Sequence, residues 1–221
     1  HFLRRVGFSA TPEAVTSALR SSPGAYIEKA FKAGAVLPRS QDLETFTDEA
    51  PERYNNMYRV KDAEAKRKLR QELQREENEL FRSFAMDWFH YVREPENSAR
   101  EKLVMFLQDI FVVEQQNIKA PQQLYAMQQM LRDGTPLSYP ELCKRVSREP
   151  AMIRYLDLDK NTAHKPNENF ARELFELFTL GEGNYTEDDI KEASRAFTGY
   201  RVMRRYKYYQ AKKLQDKTEK T

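Results

Sequence analysis

From Lys61 to about Val92 the chain has the periodicity of one long helix that changes character midway, and this constrains the fold more than any other stretch. The first half, KDAEAKRKLRQELQREENE, is almost wholly polar. Its Glu64–Lys68 and Lys68–Glu72 pairs, spaced i,i+4, support such a helix in water. The second half turns apolar at Leu80, Phe81, Phe84, Ala85 and Trp88, a stripe that must pack on other elements. Residues 61–79 are therefore expected as a charged helix that is solvated or projects from the body, anchored by its apolar second half. A partner-binding coiled coil fits less well, because the a/d pattern breaks across Arg75 to Asn78.

The packing partners must be helices too. About Ala99 to Val113 is apolar nearly all round, which predicts a helix at the centre of a bundle. Thr11-Pro12-Glu13 reads as a capped start for a helix running to Ala18–Arg20, and another spans Ala25 to Ala33, stopping at Gly34. Further helices are expected at Gln122–Leu131 and at Tyr139–Arg148. The latter is opened by a capping box at Ser138-Tyr139-Pro140-Glu141. A short helix over Pro150–Leu156 precedes a polar loop, Asp157 to Pro166. Asn167 then begins a helix ending at Gly181, and Thr186-Glu187-Asp188-Asp189 caps one that stops at Gly199. Residues 36–59, with Pro38, Pro51 and Asn55-Asn56, read as irregular. Alternating Tyr206 and Tyr208 among cations suggest a strand. The expectation is a mainly α chain, a multi-helix bundle with a small β element near the C-terminus, with residues 1–221 as one domain.

The 13 Phe and 12 Tyr among 221 residues supply a core, and only 7 Gly favour helix. No apolar run reaches the roughly 18 residues of a membrane span; the longest, Leu103 to Val113, is broken by Gln108 and Asp109. The single cysteine, Cys143, cannot close an internal disulfide, which leaves both cytoplasm and periplasm open. The net charge of +3 is uneven: residues 201–221 hold eight Lys/Arg and two Asp/Glu, so the body before them is net negative.

NENFARELFELFTLGEGNYTEDDIKEASRAFTGY, Asn167 to Tyr200, resembles the bacterial family catalogued as domain of unknown function 1800, with its PNENFAREL, TLG-x-GNYTE and TG-aromatic runs. HFLRRVGFSATP (His1–Pro12) is similar to the family's opening and REPAMIRYLD (Arg148–Asp157) to its central stretch, so the resemblance covers nearly the whole chain. It implies a helical bacterial domain and no particular reaction. It also implies that His1 lies inside a folded segment and that the C-terminal part of the domain is incomplete. Many members carry an FWHNHF-like run in the central helix; here the equivalent positions read Phe106-Leu107-Gln108-Asp109-Ile110-Phe111, without either histidine.

The candidate chemistry is polar. Asn167 can cap its helix, and Asn169, Arg172, Glu173 and Glu176 fall at i, i+3, i+4 and i+7, on one face. One reading is an amphipathic helix with an Arg172–Glu176 pair and an apolar stripe of Phe170, Leu174, Leu177 and Phe178. The sharper one is a partly buried network around a ligand, with Glu168, Arg172, Glu173 and Glu176 as catalytic candidates and Asn167, Asn169 and His164 as binding ones. Asp157, Asp159, Asn161 and Glu168 have the spacing of calcium-loop positions 1, 3, 5 and 12. Against calcium, Thr162 stands where glycine supplies the turn, and Pro166 occupies a later loop position. Gln108 and Asp109 need partners if buried, and Arg172 is the first expected. His1, His90 and His164 show no metal-ligand spacing, and Cys143 reads as an inert small residue. RRYKYYQAKK (Arg204–Lys213) mixes cations with aromatics in the manner of a nucleic-acid contact, set against the plainer reading of a strand. The function classes left are a scaffold or binding module for another protein, a hydrolase-like or metal-assisted enzyme, and nucleic-acid binding through the tail.

Overall fold

The computed structural model describes residues 1–8, 10–32, 36–118, 120–203 and 207. It is mainly α-helical, and among the described residues there is no strand; Thr162 and Lys165 form an isolated antiparallel bridge. The strand expected at Tyr206 and Tyr208 lies outside the described residues. No helix among the described residues is long and apolar enough to cross a membrane.

Three short helices open the chain: α1 (Phe2–Val6), α2 (Pro12–Ala18) and α3 (Pro23–Lys32). Thr11 caps α2 as expected, accepting from the Ala14 amide at 3.2 Å. None of the three buries a residue completely. α1 and α3 rest on α6 (Ser98–Ile110), where Lys102 Nζ donates to the carbonyls of Arg5 and Gly7, 3.1 Å each.

Residues 41–59, expected to be irregular, form the helix α4 (Gln41–Arg59) with Pro51 inside it. Two forces override the local signals. Ser40 Oγ accepts from the Leu43 amide at 3.2 Å, capping the start. Leu43, Phe46, Ala50, Tyr54 and Met57 then recur at helical spacing and are all buried. α4 packs on α5 (Ala63–Arg93), which begins at an Asp62 cap. The charged start of α5 is largely exposed to Lys68, but Leu73 and Glu77 are buried. Arg53 grips Glu76 with both nitrogens (2.9 and 2.5 Å), and the Tyr54 hydroxyl donates to Glu77 at 2.5 Å.

The central helix is α7 (Pro121–Gly134), not α6. Leu131 and Arg132 are fully buried and Met127 nearly so, and α4, α5, α6, α8 (Tyr139–Val146) and α9 (Pro150–Tyr155) all touch α7. α6 instead leaves Phe106 60% and Met105 40% exposed, which corrects the expectation of an all-round buried helix. The helix expected at Gln122–Leu131 is present, and its polar residues hid only its central place: Gln122 and Arg132 are buried because Thr47 and Glu101 bond them. α8 starts at the expected residue, but Ser138 makes no side-chain cap there, so the expected capping box is absent.

Two apolar clusters result, one between α4 and α5 and one among α6 to α9 and the C-terminal elements; Leu124 of α7 packs against both. The chain ends with α10 (Asn169–Glu173), a π-helical continuation over Leu174–Thr179, and α11 (Glu187–Ala196). Gly181 and Gly199 come just after the π turn and α11, with φ of 80° and 94°, which only glycine adopts without strain. Thr186 and Asp189 form the expected capping box on α11.

Candidate functional site

The asparagines of the Asn167 motif, with Asn161 in the loop before it, bond separate segments of the chain to one another. Asn161 is fully buried in the loop after α9; its Nδ2 donates to the Ser194 carbonyl on α11 at 2.7 Å. Its Oδ1 accepts from the Asn167 amide at 3.0 Å. Ser194 Oγ donates back to the Asn167 carbonyl at 3.0 Å, closing a ring of bonds among loop, α10 entrance and α11. Asn167 Oδ1 accepts from the Asn169 amide, and Asn169 Nδ2 donates to the Leu156 carbonyl at 3.2 Å. A buried amide with every end satisfied holds geometry well, because each bond left open there costs about 1–3 kcal/mol.

Three of the motif's charged residues, Glu168, Arg172 and Glu176, also bond within the chain. Arg172 forks onto Glu187 of α11, 2.8 Å on each nitrogen, and reaches Glu168 at 3.3 Å. These partners replace the expected Arg172–Glu176 pair. Bonding to Glu187, then to Glu168, raises the Arg172 guanidinium above its ordinary value, and Arg172 in turn lowers the Glu187 carboxyl. Glu176 accepts from the Tyr185 hydroxyl at 2.8 Å. Glu173 is different: burial, then the neighbouring Glu176, raises its carboxyl pKa, and Arg172 opposes the shift. A carboxyl so placed holds its proton longer than a free one.

The π-helical turn explains a second correction. Leu177, expected in the apolar stripe, is 62% exposed, while Phe170 and Phe178 are buried. The wider turn, with the amides of Leu180 and Gly181 bonded to the Phe175 carbonyl, rotates the helix past its α register.

Three of the four calcium-loop residues are engaged elsewhere. Asp157, in left-handed backbone with φ 57°, pairs with Lys160 at 2.7 Å, Asn161 is bonded as above, and Glu168 lies against Arg172. Among the described residues no group of three or more His, Cys, Asp and Glu gathers in a way that could hold a metal ion. Asp159 is half-buried, and His164 and His90 are exposed.

Gln108 does not meet Arg172. Its amide donates to Gln128 Oε1 on α7, and Asp109 is exposed. Gln128 leads to a buried centre that sequence reading missed. Arg132 donates to Glu101 through Nε at 2.7 Å and Nη2 at 2.5 Å, and to the Gln128 carbonyl at 2.9 Å. The Trp88 indole donates to the same Glu101 at 2.8 Å, and both charged side chains are fully buried. The signal was present: Glu101, Val104 and Gln108 are spaced i, i+3, i+7 on one face of α6.

Cys143 is buried beside the π turn, its Sγ 3.8 Å from the Phe178 carbonyl, and burial pushes its thiol up, away from a reactive thiolate.

No curated protein and no solved structure matches the chain. A family model does match, over residues 1–221, and with the Asn167 motif it shows that the chain belongs to DUF1800, described as a protein of unknown function.

Proposed function

We propose that this chain is a scaffold or binding module of a bacterial assembly whose partner is another protein. The observation that supports this best is the use made of the motif. Asn161, Asn167, Asn169, Arg172, Glu176 and Ser194 all bond within the chain and bridge separate segments, as residues do that hold a surface in shape. The surface so held offers Leu177 and Leu180, 62% and 49% exposed, on the π turn and just past it. A photo-crosslinking residue at Leu177, in the native host, is expected to capture one defined protein, with the same residue at exposed Glu64 as control. Capture of nothing at Leu177, or of the same mixture at both positions, overturns the reading.

Glu173 favours a second reading, hydrolase-like chemistry with this carboxyl as proton donor and Arg172 beside it. Its raised pKa is what a general acid needs. Under that reading a panel of ester, glycoside and phosphate substrates yields a turnover that E173Q abolishes without lowering the thermal midpoint. The scaffold reading expects no such turnover.

A further inference from the structure

Beside the π turn lies a cleft of about 350 Å³ that none of the motif's charged residues line. Such a volume is at the small end of ligand sites and suits a single ring with one polar group. Its apolar wall comes from Leu174 and Phe175 of the π turn and from Phe197 and Tyr200 after α11. These rings are already ordered by one another: Phe197 sits 5.1 Å from Phe170 and 6.3 Å from Tyr200, and Phe175 5.9 Å from Tyr185, centroid to centroid. The Tyr200 wall is also pinned from behind, because Arg201 donates to the Asp159 carbonyl at 2.8 Å.

The polar groups in the cleft are selective by default. The Thr179 hydroxyl donates to the Leu174 carbonyl at 2.6 Å and the Ser147 hydroxyl to the Cys143 carbonyl at 2.8 Å, so both protons are committed. The donors left on the lining are the Tyr200 hydroxyl and two cations, Lys144 and Arg148. Lys144 is only loosely paired, 3.7 Å from Glu141, and among the described residues no acceptor takes the Arg148 guanidinium. A π-helical turn is rare, and such turns occur often at functional sites. Here three of its residues form cleft wall.

We propose that this cleft binds a small aromatic anion, a carboxylate or phosphate on a single ring, with the ring against Phe175, Phe197 and Tyr200 and the anion on Arg148 and Lys144. This rests on the binding-module reading and adds a ligand class to it. The cleft carries its own reporter, since Cys143 is the chain's single cysteine and lines it. Alkylation of Cys143 by iodoacetamide at alkaline pH is followed by mass, with benzoate, phenyl phosphate, benzyl alcohol or inorganic phosphate added at millimolar concentration. Benzoate or phenyl phosphate is expected to slow labelling several-fold, with little effect of the neutral arene or the bare anion. R148A is expected to remove that protection, read as the ratio of liganded to unliganded labelling within the variant, without lowering the thermal midpoint. No protection by either aromatic anion, equal protection by benzyl alcohol, or protection that survives in R148A overturns the proposal. These outcomes leave the partner-protein reading intact, because that one is decided by the cross-link at Leu177.

Discussion

The Glu101 and Arg132 side chains meet fully buried, and their energetics differ from those of the surface pairs on α5 and α11. Two desolvated charges roughly offset their own burial cost, but removing one leaves the other stranded, at about 3–5 kcal/mol. E101A and R132A should therefore each lower the urea midpoint sharply, while the double substitution to apolar residues of similar size should recover much of the loss. If the singles cost no more than a surface pair, at most about 1 kcal/mol, the pair is not buried as described. Glu173 gives a test with a definite sign. Its folded-state pKa is raised, so the stability it contributes is present in acid and is lost as pH rises through the folded value. E173Q should match the parent at acid pH and exceed it at neutral pH. E187Q should do the reverse, because the Glu187 pKa is lowered and its contribution is lost only as pH falls. Thermal midpoints across that pH range check both. At this scale the sequence was legible where a residue's partner lies nearby along the chain, as with Thr11 and Ala14 or Thr186 and Asp189. It was not legible where the partner is distant, as with Arg132 and Glu101 or Arg172 and Glu187.

Among the elements, the segment from Asn169 to Thr179 shows how one change of helical pitch reassigns side chains. An α register would bury Leu177 along with Phe170, Leu174 and Phe178; with the π turn Phe170 and Phe178 stay buried and Leu177 is turned out to 62% exposure. F178A should cost about 3–5 kcal/mol, and L177A should stay within about 0.5 kcal/mol, both read from chemical denaturation. A large loss at Leu177 would mean the turn is α-helical in solution. The sequence has no local mark for a π turn, and that is why Leu177 was placed in the apolar stripe with Phe170, Leu174 and Phe178. α4 is the opposite case. Proline and paired asparagines argued against helix, and the buried stripe from Leu43 to Met57 outweighed them. What local propensity concealed there, packing on α5 supplied.

Across the molecule, the mainly helical class was legible from periodicity and from the scarcity of glycine, whereas the order of burial was not. α6 looked central because it is apolar in composition; α7 is central because five helices surround it. Leu124 faces both apolar clusters, so the two should unfold together. The single tryptophan, Trp88, is bonded to Glu101 at the contact of α5 with α6 and reports on that region. Its fluorescence and the far-ultraviolet helical signal should therefore lose intensity over one shared denaturant range. Two separated transitions would show that the clusters are independent folding units.

A helix enclosed by five others can release its backbone only when they let go. In deuterated solvent the peptide hydrogens around Met127 to Leu131 should be the last to be replaced, at a rate that reports global opening. Those of α1 to α3, which bury no residue completely, should be replaced first.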